Sequence, residues 1–254
     1  MITKGRISSV TADGKTAAVV PAFSGGVVSH LLTVPASLRG MLEQGTEVVY
    51  CAFPDATGVI IGRADGEGAN RILPAGYSFV EYIQSSGTQF IDTGIIPNNR
   101  TRVVMDVQAT SSAYPVCFFG ARESATSCNF AFVWTGTDLR SDFCNTYTQK
   151  WAVNVLQRRI IDKNGPATTV DGVTQTYADK EFTAPKTLKL LAIDNNGTIQ
   201  WQIAAKLFSC KVYTDGILVR DFVPCVSARG EFGLWDLVTE CFYSNSGSGA
   251  FAGP

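Results

Sequence analysis

The chain has 254 residues, 45% of them apolar, enough to build folded cores and too many for a disordered tail. Charged residues are 17% of it, below the usual share of about 25%, and Lys and Arg are scattered singly at a formal net charge of −1. That pattern excludes the basic stripe that neutralises phosphates, so no nucleic-acid partner is expected.

Residues 1–10 hold Lys4, Arg6 and no long apolar run, so a secretory leader is not expected. No stretch of the chain approaches the roughly 20 apolar residues that span a bilayer, and no membrane insertion is expected. Residues 7–10 and 17–20 read as two strands joined by the turn Ala12-Asp13-Gly14-Lys15. A third strand is expected over 27–34, after Ser24-Gly25-Gly26. Weak helical character follows over 36–44, carried by Leu38, Met41 and Leu42 and stopped by Gly45. Residues 47–53 and 58–62 complete a set of five strands, joined by Pro54-Asp55-Ala56-Thr57. Three strands, a short helix and two strands is the order of an OB-type small barrel. We therefore take residues 1–63 as one domain and the small, polar run 64–73 as a linker.

Residues 74–254 read as many short strands without a helix, at 79–83, 89–93, 101–108, 116–120, 130–134, 187–193, 199–203, 206–213 and 218–223, among others. Asn195-Asn196-Gly197 and Thr214-Asp215-Gly216 are hairpin signals. Residues 102–107 alternate only partly, which predicts a strand buried on much of both faces. The fold class expected is all-β: a small barrel followed by a β-sandwich of the jelly-roll type.

Two resemblances give these modules a context. Lys4-Gly5-Arg6-Ile7, Gln44-Gly45-Thr46-Glu47-Val48-Val49-Tyr50 and Gly58-Val59-Ile60-Ile61-Gly62-Arg63 resemble the OB-fold domain of baseplate and spike proteins of phage tails. Glu81-Tyr82-Ile83-Gln84-Ser85-Ser86-Gly87-Thr88-Gln89-Phe90-Ile91-Asp92-Thr93-Gly94, Phe118-Phe119-Gly120-Ala121-Arg122 and Gly233-Leu234-Trp235-Asp236-Leu237 resemble a concanavalin-A-like (laminin-G-like) jelly roll of tail proteins in phages and prophages of Firmicutes. The resemblances imply a virion protein that contacts other virion proteins through residues 1–63 as a homo-oligomer, a trimer by analogy with the spikes. They imply a jelly roll that binds a host-surface glycan, or one that is purely architectural or decorative.

The chemistry-bearing residues fit binding better than catalysis. Retaining glycosidases need two carboxyls about 5–5.5 Å apart. The nearest candidates, Asp138 with Asp142 and Asp179 with Glu181, lie beside turn-like sequence where carboxylates are ordinarily solvated, and no enzyme activity is expected. The lone histidine, His30, is far in sequence from most of the cysteines and reads as packed on a strand face at a barrel rim or subunit contact. Seven cysteines without a CxxC pair argue against zinc and read as reduced thiols acting as small hydrophobes. No metal and no cofactor is expected. Two carboxylates at Asp138 and Asp142 fall short of a calcium shell.

A sugar site pairs an aromatic platform with planar polar groups, and residues 122–143 offer Arg122, Asn129, Trp134, Asp138, Arg140 and Asp142. The plainer reading of Phe130, Phe132 and Trp134 is that they alternate into the sheet as core. Trp151 and Trp201 pose the same choice, and Trp235 reads as core.

Overall fold

Alternating apolar residues and a tight turn open the first unit. The computed structural model describes residues 2–22, 28–35, 38–39, 42–64 and 73–254, and the chain divides into Met1–Ile72 and Leu73–Pro254. The first unit contains β1 (Ile2–Val10), β2 (Thr16–Pro21), β3 (Leu32–Thr33), β4 (Glu47–Ala52) and β5 (Gly58–Arg63). They form a closed barrel in the order β1-β2-β3-β5-β4, with β4 returning to β1. Among the described strands of this unit, only β3 and β5 pair in parallel. The β1–β2 turn is held by Asp13, which accepts from Thr11 Oγ1 (2.7 Å) and Lys15 N (3.0 Å).

Ile7, Val19, Leu32, Val48, Tyr50 and Ile60 fill the barrel. At Gly5 a Cβ would lie 2.5 Å from Val19 Cγ1 and 2.7 Å from Val20 O, so only glycine lets β1 and β2 approach this closely. The third strand is shorter than the sequence predicts. Ser29 N still donates to Val19 O (2.7 Å), and the return bond goes to the Ser29 hydroxyl, which accepts from Val19 N (2.9 Å). Residue 27, the Ser24-Gly25-Gly26 run, and residues 36, 37, 40 and 41 of the expected helix lie outside the described residues. Leu38 and Leu42 are buried in the barrel core. His30, expected on a strand face, is exposed and precedes β3. The expected linker lies outside the described residues from 65 to 72.

The second unit begins with β6 (Tyr77–Phe79), β7 (Ile83–Ser86), β8 (Ile91–Asp92), β9 (Thr101–Ala109), β10 (Val116–Arg122) and β11 (Asn129–Trp134). It continues with β12 (Leu139–Cys144), β13 (Thr146–Trp151), β14 (Arg159–Asn164), β15 (Ala167–Val170), β16 (Val173–Thr176) and β17 (Lys189–Leu190). It ends with β18 (Ile193–Asn195), β19 (Thr198–Gln200), β20 (Ala204–Thr214), β21 (Ile217–Ser227), β22 (Phe232–Asp236) and β23 (Cys241–Tyr243). No α-helix occurs among the described residues, and the chain is all-β.

Eight of these strands form one sheet, ordered β13-β12-β11-β10-β17-β8, with β18 on β10 and β19 on β18. Ten form another, ordered β16-β15-β14-β9-β20-β21-β22-β23, with β6 on β21 and β7 on β20. One hydrophobic core draws on both sheets: Val103, Met105 and Val107 from β9 meet Phe118, Phe119, Phe130 and Phe132 from β10 and β11. Each such side chain contributes roughly 1.5–3 kcal/mol of burial. A bulge between Cys117 and Phe119 lets both Phe118 and Phe119 turn inward.

Several expectations change here. β9 alternates strictly, with Thr101, Val103, Met105, Val107 and Ala109 buried and the residues between them half-buried. Its outer face carries ion pairs instead of a second core: Arg102 Nε and Nη2 donate to Asp162 (2.8 and 2.7 Å), and Arg158 Nε and Nη2 donate to Asp106 (2.9 and 2.7 Å). The strand expected over 187–193 is split at Leu191, whose φ is +66°. The strand expected over 79–83 is two, β6 and β7, paired to different neighbours. Both hairpin signals hold, with Asn196-Gly197 joining β18 to β19 and Asp215-Gly216 joining β20 to β21, all four residues at positive φ.

Trp235 is buried in a separate cluster with Val223 and Cys225. Asp236 beside it is fully buried and accepts from Asp221 N (2.8 Å), Val238 N (3.1 Å) and Thr239 Oγ1 (2.6 Å). None of the seven cysteines forms a disulfide; Cys117, Cys210 and Cys225 are buried and Cys241 is exposed. Burial pushes the Cys117 and Cys210 thiols up, and that of Cys225 to about 12, so these three pack as protonated small groups.

Candidate functional site

Strand alternation sends neighbouring residues of β11 to opposite faces. Phe130, Phe132 and Trp134 enter the shared core, while Ala131 and Val133 join Cys117, Ile193 and Trp201 in a small cluster on the outer face. Asn129 keeps step with that outer set. On β12, Asp142 pairs with Ala131 and Arg140 with Val133, so both lie on the same face. On β10, the register carried one step past the Ala121–Phe130 pair sets Arg122 opposite Asn129. Gly120 keeps this face low: a Cβ there would lie 2.9 Å from Ala131 Cβ and 3.0 Å from Ile193 Cγ1.

Four of the six sequence-derived candidates therefore meet. Asp142, 0% exposed, accepts from Arg140 Nε at 2.7 Å and Arg140 Nη2 at 3.0 Å. Asn129 Nδ2 donates to the same carboxylate at 3.2 Å and to Ala125 O at 3.4 Å. Two acceptors on one side fix the amide so that Nδ2 faces them and Oδ1 faces away. Arg122 Nε donates to Asn195 Oδ1 at 3.1 Å, and its guanidinium lies 4.4 Å from the Trp201 ring centroid. Arg122 is 4% exposed and Asn129 is 1% exposed, yet Arg122 Nη1 and Asn129 Oδ1 have no hydrogen-bond partner in the protein. Burial pushes the Asp142 carboxyl up against the pull of Arg140, and pulls the Arg122 guanidinium down.

The other two candidates lie elsewhere. Trp134 is 6% exposed, packs in the shared core and donates from Nε1 to Ser112 O (3.2 Å), so it offers no platform to solvent. Asp138 lies in the β11–β12 turn at the far end of the strands, where it accepts from Thr137 Oγ1 (2.8 Å). Asp142 corrects the solvated carboxylate expected from turn-like sequence: β12 is a strand, and the carboxyl is taken out of water because two side chains supply its donors. Asp179, its counterpart in the other candidate pair, is exposed and accepts from Asn99 Nδ2 (3.3 Å).

Three contributors escape a reading of residues 122–143 alone. Tyr147 on β13 is 44% exposed, with the Arg140 guanidinium 5.5 Å from its ring centroid. Its signal is the Thr146-Tyr147-Thr148 run of strand formers. Asn195 arrives through the parallel β10–β18 pairing, which aligns Arg122 with Asn195 and leaves no local trace. Trp201 carries a φ of +56°, and Cys128 and Cys144 beside Asn129 have +46° and +55°. Such backbone in bulky residues is uncommon and collects at functional sites.

The arrangement can present donors, acceptors and a ring face together. Among the described residues, no three His, Cys, Asp or Glu side chains converge to hold a metal, and no helix is long and apolar enough to cross a membrane. No protein-family model matches the chain, and no curated protein matches it.

Proposed function

We propose that this chain is a structural protein of a phage tail or baseplate, anchored by its first unit, whose second unit binds a host-surface glycan on the outer face of the eight-stranded sheet. The closed β1-β2-β3-β5-β4 order supports the OB-type reading of the anchor. Two sheets on one core, with hairpins at Asn196-Gly197 and Asp215-Gly216, support the concanavalin-A-like reading of the second unit. The observation that carries the glycan reading is the pair of orphaned atoms, Arg122 Nη1 and Asn129 Oδ1, on residues that the strand register sets opposite one another. One is a donor and the other an acceptor, and a sugar hydroxyl can accept from the first while donating to the second. Each unsatisfied buried group costs about 1–3 kcal/mol, which a ligand would recover. Exposed Tyr147 supplies a ring for the C–H face of a sugar. Copies of the chain on one particle, as a trimer by the spike analogy, would turn weak sites into avid attachment.

A second reading, an architectural or decoration protein without ligand, draws on the Asp142 carboxylate, already engaged by Arg140 and Asn129, and on the burial of Trp134. The full chain displayed to an array of bacterial wall and surface polysaccharides separates the two. The glycan reading expects at least one saturable signal that falls about tenfold in N129A and in Y147A. A blank array from a folded chain that still enters particles selects the architectural reading.

A further inference from the structure

The polar groups of this face do not balance in charge. Two guanidinium groups, Arg122 and Arg140, share one carboxylate, Asp142. That carboxylate makes a two-pronged bond to Arg140, and its remaining capacity goes to Asn129. Arg122 is left with neutral partners: the Asn195 amide oxygen and the face of Trp201. A charge kept from water is stable only when paired, and a guanidinium cannot escape by giving up its proton. Its planar fork suits carboxylate and phosphate oxygens, which it binds through paired N–H groups.

We infer that the ligand of this face carries an anionic group, a carboxylate or a phosphate, seated on Arg122 Nη1, with a neighbouring hydroxyl donating to Asn129 Oδ1. The inference rests on the glycan reading above and narrows it to acidic saccharides or polyol phosphates. A neutral sugar would fill the Asn129 acceptor and leave the Arg122 charge unmatched. Non-specific attraction of polyanions is a poor substitute explanation, because the chain as a whole carries a formal charge of −1.

The full chain would be passed over three immobilised polymers: polygalacturonate for the carboxylate source, poly(glycerol phosphate) for the phosphate source, and dextran as the neutral control. The expected result is saturable binding to one or both anionic polymers at least tenfold tighter than to dextran. Which one is preferred names the source. R122Q should lose at least tenfold on the preferred polymer with its thermal unfolding unchanged, and R122K should recover part of the loss. If R122Q does not fold, the ranking of the three polymers on the unaltered chain still decides. Dextran binding equal to the anionic polymers overturns the anionic group and leaves the glycan reading standing. So does anionic binding that R122Q leaves intact. Silence on both anionic polymers overturns the inference as well, and the polysaccharide array then decides whether the glycan reading falls with it.

Discussion

Strand β12 turns Ser141 toward the shared core and Asp142 toward the outer face, and a buried cation sits on each side. Inside, Lys163 Nζ donates to Ser141 Oγ at 2.7 Å and lies 4.8 and 5.5 Å from the ring centroids of Phe130 and Phe143. Outside, Arg122 rests on Trp201. Neither has a carboxylate in direct contact, but they meet that lack differently. Burial pushes the Lys163 ammonium down to about 7, so lysine relieves its position by releasing a proton. Arginine cannot do so. The same shortage of counter-charge becomes a matter of protonation on the inner side and a demand for an external partner on the outer side.

The largest test of this contrast removes the Asp142 carboxylate, whose charge acts on both cations. D142A should cost roughly 3 kcal/mol, read from the shift in denaturant midpoint, because it strands Arg140 and Asn129. The value sits at the low end for a broken buried pair since Arg140 keeps 22% of its side-chain surface in water. A loss under about 1 kcal/mol would mean the outer cluster holds nothing together.

Next comes the inner cation. The folded Lys163 value of about 7 lies below the unfolded lysine value of about 10.4, so the unfolded chain binds more protons between them. Stability should therefore rise with pH by roughly 1 kcal/mol between pH 7 and 8, and the rise should fade above that as the three raised cysteines, ordinary at about 8.5 in the unfolded chain, begin to ionise there. K163M should be more stable at pH 7 and should flatten that rise. Ser141 Oγ keeps Thr168 Oγ1 at 2.8 Å as its partner, so the substitution orphans nothing. An unchanged pH slope in K163M would place the titration elsewhere.

The smallest effect belongs to a pair that never leaves water. Arg6 and Glu47 of the barrel meet at 3.0 Å with 65% and 62% of their side chains exposed. R6A should change the denaturant midpoint by no more than about 0.5 kcal/mol. A larger loss would show that exposure is a poor guide to which charges matter here.

What could be read in the sequence follows from how local its signals are. Asn196-Gly197 and Asp215-Gly216 announce their turns because positive φ is written in the dipeptide itself. The five barrel strands show in the apolar runs and the glycines between them. The polar site types at Arg122, Asn129, Arg140 and Asp142 were visible, but their company was not. Arg122 and Asn195 are joined by a parallel pairing 73 positions apart, which no window of sequence contains. β12 and β14 hide their inward faces because Ser141 and Lys163 stand where an apolar residue would mark a core position. Trp134 misleads for the opposite reason: an indole beside polar residues resembles a platform, whereas the register sends it inward with Phe130 and Phe132.

The β20–β21 hairpin tip also has a practical consequence. A Cβ built on Gly216 meets nothing within 4 Å, and Asp215, Gly216 and Ile217 are all exposed. Such tips tolerate spliced peptide. A short antibody epitope inserted between Asp215 and Gly216 would lengthen the two strands into solvent, away from Arg122 and its neighbours in sequence and in sheet. It would give electron microscopists a label for locating this unit in any assembly that the chain joins.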